Sequence, residues 1–234
     1  MRFVRTLALL AVLLVPAGAS AWSTQGGRTL DPGRYAIEVA GGFPTARLAV
    51  HVPLQKHLEV GPFLGFHYFG DVTDARVRLG NALGARLKLN VVDHGAFQMA
   101  LLAQPALIVA YSPDVRVGIQ VSLPELILGY DVLKNLQIFG GFRFPIAFEF
   151  DTDYRVRIRL PLLGQIGVEW GVTSKITLFT TVEAGPAWSF GARIPKCVRS
   201  AADPTKQICD PKDTTGGNRL DVYVSGLVGV TFAL

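Results

Sequence analysis

The stretch 136-LQIFGGFRFPIAFEF-150, continued past 151-DTD-153 by 154-YRVRIRLPLLGQIGVEW-170, decides the fold of this chain. Every second residue from Leu136 gives Leu136, Ile138, Gly140, Phe142, Phe144, Ile146, Phe148 and Phe150, interleaved with Gln137, Phe139, Gly141, Arg143, Pro145, Ala147 and Glu149. Past the polar break the alternation resumes. Val156, Ile158, Leu160, Leu162, Gly164, Ile166, Val168 and Trp170 stand against Arg157, Arg159, Pro161, Leu163, Gln165, Gly167 and Glu169. A period of two is a strand signal, because successive side chains in a strand point to opposite faces. Each run is roughly 15 residues, well beyond the 5–6 usual in a soluble sheet. One face is almost wholly apolar; the other mixes charge, Gln, Gly and Ala. A membrane-crossing strand buries about 9–11 residues in the bilayer, so this hairpin is expected to be one unit of a transmembrane barrel.

The N-terminus sets the compartment. Arg2 and Arg5 precede an apolar run from Leu7 to Val15, which ends at Pro16-Ala17-Gly18 before the small residues Ala19-Ser20-Ala21. That order is a secretory signal peptide, expected to span 1–21 and to be cut after Ala21. The apolar run is too short for a membrane anchor, and no cysteine follows it to carry a lipid. The polar, Gly-rich stretch 22–33 reads as a periplasmic lead-in, and 34–234 as a single barrel domain. Losing Arg2 and Arg5 lowers the formal charge from +5 to +3, too little and too scattered to attract nucleic acid. Two cysteines, Cys197 and Cys209, are expected to form a disulfide in an oxidising compartment, worth roughly 3 kcal/mol by chain entropy. With no histidine nearby they make no zinc site, and no cofactor motif is present.

Taken in order, the chain reads as hairpins. Arg34 to Gly41 and Ala46 to Pro53 flank a turn at Gly42-Phe43-Pro44-Thr45. Leu58, Val60, Pro62, Leu64, Phe66 and Tyr68 then oppose Glu59, Gly61, Phe63, Gly65 and His67. Val77 to Val91 alternates in the same way. The uncharged stretch 96–113 could be a membrane helix, but its two-fold alternation and the internal Pro105 favour a strand, since a mid-helix proline costs about 3 kcal/mol. Val117 to Tyr130 begins with Val117, Ile119, Val121 and Leu123 on one face. It then changes phase near Pro124-Glu125 so that Leu126, Leu128 and Tyr130 take over, which one extra residue at a bulge accomplishes. Ile176 to Phe190 and Leu220 to Leu234 complete the set. Tight turns near Lys56, His94, Lys134 and Ser174 recur about every 39 residues, with two long strands per period, which describes an up-and-down meander and not propeller blades. The fold expected is all-β, an up-and-down antiparallel transmembrane β-barrel of about ten strands, or eight if the first two short segments stay outside. The longer connections, above all 191–219, share the opposite end from the tight turns.

Orientation of the faces separates two function classes. A lipocalin-type barrel would turn its apolar face inward, yet roughly six large apolar side chains per strand cannot fit inside a barrel of this size. Aromatics gather at both ends of the apolar face, with Tyr68, Tyr111, Phe148 and Trp188 at one rim and Tyr130 and Trp170 at the other. That is the girdle expected at two membrane interfaces. The apolar face is therefore expected to meet lipid.

With these features the chain resembles the small outer-membrane β-barrel proteins of Gram-negative bacteria, loosely the OmpA, OmpX and OmpW types. The resemblance covers essentially the whole mature chain. Its last strand ends Gly229-Val230-Thr231-Phe232-Ala233-Leu234, similar to the family's C-terminal assembly signal, though it closes on Leu rather than Phe. The resemblance implies an outer-membrane location, recognition by the barrel-assembly machinery through that strand, and contact with outer-membrane lipids and lipopolysaccharide. No catalytic or binding residue carries over.

The face expected to line the lumen carries Glu38, Arg47, His51, Glu59, His67, Arg78, Arg86, Lys88, Glu125, Arg143, Glu149, Arg157, Arg159, Gln165, Glu169, Glu183 and Asp221. Buried charges need partners, so these residues are expected to interlock as a plug that stiffens a mainly structural, surface-exposed barrel. A narrow channel or small-solute site is the alternative. Arg76, Arg78, Arg155, Arg157 and Arg159 gather toward the outer mouth, where lipopolysaccharide phosphates or an anionic solute could meet them. An acyl-chain enzyme of the Ser–His type would need a serine within reach of His51 or His67, and no spacing supplies one. The chain is expected not to be an enzyme.

Overall fold

A computed structural model describes residues 22–68, 79–111, 115–122, 124–151, 155–193, 197–199, 207–209 and 219–234. The expected signal peptide, Arg76, Arg78 and the greater part of 191–219 lie outside the described residues. The described residues are all strand, turn and extended chain. The strands are β1 (Ala36–Phe43), β2 (Thr45–Gln55), β3 (Leu58–His67), β4 (Gly80–His94), β5 (Phe97–Ala103), β6 (Ala106–Ala110), β7 (Arg116–Ser122) and β8 (Glu125–Leu133). Then come β9 (Leu136–Arg143), β10 (Pro145–Asp151), β11 (Arg155–Pro161), β12 (Leu163–Gly171), β13 (Ile176–Arg193), β14 (Cys197–Arg199), β15 (Gln207–Cys209) and β16 (Arg219–Ala233).

All but β14 and β15, which pair with each other, close a ten-strand antiparallel barrel. Four of its walls are each built from two consecutive strands in line, β5 with β6, β7 with β8, β9 with β10 and β11 with β12. Near the long connections the ring runs β4-β6-β7-β10-β11-β13; near the tight turns it runs β4-β5-β8-β9-β12-β13. One interruption falls at Gln104-Pro105, where proline has no N–H to give the ladder. The first two segments belong to the wall: β1 pairs with β2 on one side and with β16 on the other, which closes the ring. This settles the strand count at ten instead of eight. The tight turns sit where the spacing put them. The turn between His94 and Phe97 carries Gly95 at φ 59°, the left-handed backbone that a two-residue hairpin demands.

The barrel is inside-out relative to a soluble one. Leu83, Leu107, Phe142, Ile166, Val182 and Val228 stand at mid-height on the outer surface, Ile166 and Phe142 each 62% exposed, while Glu38, Lys88, Gln98 and Glu125 are fully buried within. The outer surface is thus a continuous apolar belt, and the lumen is the polar side of the wall. The phase change expected near Pro124 is present: Val117, Ile119 and Val121 face out on β7, and Leu128 and Tyr130 on β8. Of the expected girdle, Tyr111, Tyr130, Phe148 and Trp188 are exposed, and Tyr68 and Trp170 half-buried. Tyr35 and Phe97 add to the ring at the tight-turn end.

Inside the wall, small residues and aromatics interlock. Phe63, Phe139 and Phe179 lie against Gly84, Gly167 and Gly229 of neighbouring strands, each ring occupying the space a Cβ would need. Gly61 has a tighter constraint, because a Cβ there would sit 1.6 Å from the Val50 carbonyl oxygen. These contacts let the wall curve where side chains would hold adjacent strands apart.

The stretch 22–33 is not the lead-in the sequence suggested. Its first part folds back into the lumen, and Trp22, Ser23, Thr24, Gln25 and Leu30 are all buried. The physical reason is an excess of buried polar groups on the wall at the tight-turn end, which a polar, Gly-rich segment can satisfy.

Candidate functional site: a stoppered lumen

The inward positions form three polar layers. The layer at the tight-turn end is organised by Glu169 on β12. Thr24 N–H and Gln25 N–H donate to its Oε1 at 2.9 and 3.0 Å, and Gly26 N–H donates to Oε2 at 2.8 Å. The hydroxyls of Ser23 and Thr24 donate to the same carboxylate. Three successive backbone N–H groups curled about one anion make a nest, and the glycines at 26 and 27 leave room for the curl. Gly26 has no space for a Cβ, since Gln137 Oε1 would lie 1.5 Å from it.

The carbonyls of the same segment meet cations. Lys88 Nζ donates to Ser23 O and Thr24 O, each at 3.3 Å, Arg86 donates to Thr24 O, and Asn90 Nδ2 donates to Gly27 O at 2.6 Å. Farther out, Arg28 pairs with Asp131 at 2.6 Å, Leu30 N–H donates to Glu59 at 3.1 Å, and the Trp22 indole N–H reaches Ser174 O at 3.2 Å. Trp22 and Leu30 pack with Ala36 beside Ala233. Segment 22–30 is thus a stopper pinned along its length, with an apolar contact at the rim and a hydrogen-bonded core within.

The waist layer is a charge network. Glu38 takes Arg47 at 2.7 Å and His51 Nε2 at 3.0 Å, while His51 Nδ1 lies 2.8 Å from Glu59. Gln25 of the stopper also donates to Glu38, and Arg47 returns a bond to Gln25 Oε1 at 3.0 Å, so stopper and network are one structure. On the far wall Arg143 bridges Glu125 at 3.0 Å and Glu183, and Gln104 Nε2 donates to Glu125 at 3.1 Å. A cavity of about 10 Å³ remains between Gln25, Arg47, Arg86, Gln104, Arg143 and Glu183, room for about one water molecule. Among the described residues, Arg86 Nε and Glu125 Oε1 are buried there without a hydrogen-bond partner.

The third layer lies toward the long connections, where Arg116 and Arg159 approach Glu149 at 3.6 and 4.0 Å. Arg157 is the register partner of Glu149, and Asp221 is buried on β16. His67 stands at the end of β3 on the same side.

Of the residues assigned to the lumen from the sequence, Glu38, His51, Glu59, Arg86, Lys88, Glu125, Glu169, Glu183 and Asp221 are buried, and Arg47 and Arg143 pair with members of that set. The residues that sequence reasoning missed are Ser23, Thr24, Gln25, Arg28, Asn90 and Asp131. For Ser23, Thr24, Gln25 and Arg28 the one signal is composition, a polar, Gly-rich run directly after the expected cleavage site; Asn90 and Asp131 lie on β4 and β8. Neither ring nitrogen of His51 is turned to a serine; both lie against carboxylates. Among the described residues no cluster of His, Cys, Asp and Glu could hold a metal ion. The backbone register sets Cys197 opposite Cys209 across β14 and β15, while the expected disulfide itself falls on side chains outside the described ones.

No protein-family model matches the sequence, and no curated protein does. Solved structures similar in overall form include the outer membrane protease OmpT from Escherichia coli, at 8% identity and TM-score 0.39 over 93% of this chain and 100% of that one. The translocator domain of the autotransporter NalP from Neisseria meningitidis is similar at 12% identity and TM-score 0.34, covering 97% and 95%. The NanC porin follows at 12% and 0.33, covering 86% and 99%. At these values none of them carries a role or a residue over to this chain.

Proposed function

We propose that this protein is an integral β-barrel of the bacterial outer membrane whose lumen is closed by its own N-terminal segment, and that it acts as a structural, surface-exposed element. The observation that carries this reading is the stopper 22–30, pinned through Glu169, Lys88, Asn90 and Glu59 and continuous with the Glu38–His51–Glu59 network. In this reading the tight turns and both chain ends face the periplasm, the 191–219 loop faces outward, and the assembly machinery takes the chain by β16. The apolar belt meets lipid, and lipopolysaccharide surrounds the outer rim. The pairing of His51 with two carboxylates supports a structural role for the lumen and no catalytic one.

Planar-bilayer recording tests the closure. The mature chain inserts without single-channel steps, whereas a variant lacking 22–30 gives steps of stable size. Conductance by the intact chain equal to that of the shortened one would reject the stopper and favour a conduit.

A further inference from the structure

The lumen wall engages the main chain of 22–30 at one position after another. Glu169 takes the N–H groups of Thr24, Gln25 and Gly26, and Glu59 takes that of Leu30. Lys88 donates to the carbonyls of Ser23 and Thr24, and Asn90 donates to that of Gly27. Every polypeptide carries such groups, and a carboxylate cradled by successive N–H groups is a recurring means of holding one. The wall is therefore built as a peptide site, with 22–30 as its resident occupant.

The side chains narrow what fits. A Cβ at Gly26 would lie 1.5 Å from Gln137 Oε1, and one at Gly27 would lie 2.7 Å from Gln98 Cβ. Gln25 donates to Glu38 and accepts from Arg47 at 3.0 Å. Arg28 stands between Asp131 at 2.6 Å and Asp93 at 3.8 Å. The matching ligand is a polar peptide with glutamine, two glycines and a basic residue in that order.

The wall keeps its own order through bonds that do not involve the segment. Gln137 Nε2 donates to Gln98 Oε1 and to Asp131 Oδ1, each at 2.8 Å. Arg47 and His51 hold Glu38, and His51 holds Glu59. A site already organised in this way binds without the cost of ordering its walls. The segment is linked to β1 only by residues 31–35, all of them exposed, so it is a tethered ligand on a short accessible link.

We propose that the tight-turn end of the lumen is a binding site for a polar Gln-Gly-Gly-basic peptide, and that 22–30 is an occupant which a peptide of this chemistry replaces. The site rests on the docked position of 22–30. A short tether holds the segment at an effective concentration of about a millimolar. A free peptide therefore enters the intact chain poorly, and enters readily once the resident segment is kept from docking.

The full-length chain with Gly26→Val and Gly27→Val, folded in detergent, provides the test. It is titrated with a synthetic peptide of sequence 22–30 bearing a C-terminal fluorophore, and binding is read by anisotropy. Saturable binding at least 100-fold tighter than to the unsubstituted chain is expected. Adding Glu169→Gln to the substituted chain should weaken it at least ten-fold. N-methylation of the peptide at the amides of Gln25 and Gly26 should do the same while keeping every side chain. A peptide of the same residues in reverse order should not bind. Absence of saturable binding by a substituted barrel that keeps its heat-dependent gel migration overturns the peptide site, as does equal binding of the reversed peptide. Neither result touches the stopper, whose closure is read separately by conductance. Equally tight binding by the unsubstituted chain would instead mean that 22–30 leaves the lumen empty, and would reject the stopper itself. If the substituted chain does not assemble, a protease site inserted within 31–35 allows the segment to be cut after folding. Uptake of the labelled peptide after cleavage is then expected, and no uptake overturns the proposal.

Discussion

Replacing Glu169 by Gln removes one charge and one acceptor from the centre of the stopper and changes little else in shape. Three backbone N–H groups, those of Thr24, Gln25 and Gly26, donate to the carboxylate at 2.8 to 3.0 Å. Glutamine can keep the two bonds made to Oε1. Its amide group then faces the Gly26 N–H, which loses its carboxylate acceptor and keeps only the Ser23 hydroxyl oxygen at 2.8 Å, while the Ser23 hydroxyl turns its proton to Gln137 Oε1 at 2.9 Å. A bond to a charged acceptor is worth about 1.5–3 kcal/mol, and a bond to a neutral acceptor about 1 kcal/mol less. Together these weaken docking of the stopper by about 3 kcal/mol, or roughly 150-fold in the ratio of docked to undocked states. Hydrogen exchange read by mass spectrometry on the folded protein measures this directly. Protection of the amides at 24–26 should fall by about 100-fold, while amides of β13 and β16 keep theirs. Unchanged protection at 24–26 in a folded barrel would refute the assignment of Glu169 as the anchor.

Other consequences are open to simpler assays. Ile166→Arg places a charge on the lipid face at mid-height and should cost about 2–4 kcal/mol in folding titrations into bilayers, whereas Ala147→Ser on the inner face should be nearly neutral; equal effects would mean the assigned phase is wrong. Gly61→Ala forces a Cβ against the Val50 carbonyl and should destabilise by about 1–3 kcal/mol in urea unfolding. Gly41→Ala, which meets nothing within 4 Å, should not. We expect a disulfide between Cys197 and Cys209, because directly opposed antiparallel residues have Cα atoms about 4.5–5.5 Å apart, within disulfide reach. An impermeant maleimide should label intact cells only after impermeant reductant; labelling without reductant would exclude the bond.

The barrel was legible because its signal is local. The alternation in 136–170 assigns each residue to a face without knowledge of any neighbour, and the shift between Val121 and Leu126 is visible in the same pattern. The charges on the lumen face were legible for the same reason, and Glu38, Glu59, Lys88 and Glu169 all lie inside. The stopper was not. Trp22 to Leu30 has no period, and its polar, Gly-rich composition is also that of an exposed connection. What holds it is distant in the chain: Ser23 reaches Glu169 across 146 positions. Nothing in the order of residues distinguishes a segment that satisfies buried donors and acceptors from one that water satisfies. The in-line splitting of four walls was likewise hidden, since Gln104-Pro105 keeps the alternation intact through the break.

The position of residues 22–30 inside the closed barrel is tested most directly by a cross-link. Thr24 on the stopper and Thr231 on the last strand have their hydroxyl oxygens 3.2 Å apart in the buried lumen. Thr24→Cys with Thr231→Cys, in a chain with Cys197 and Cys209 replaced by Ser, should oxidise to a near-complete disulfide once the barrel has folded. The product is a covalent ring that migrates faster on a denaturing gel without reductant. Two free thiols at 24 and 231 in a barrel that still shows heat-dependent migration would contradict the stopper.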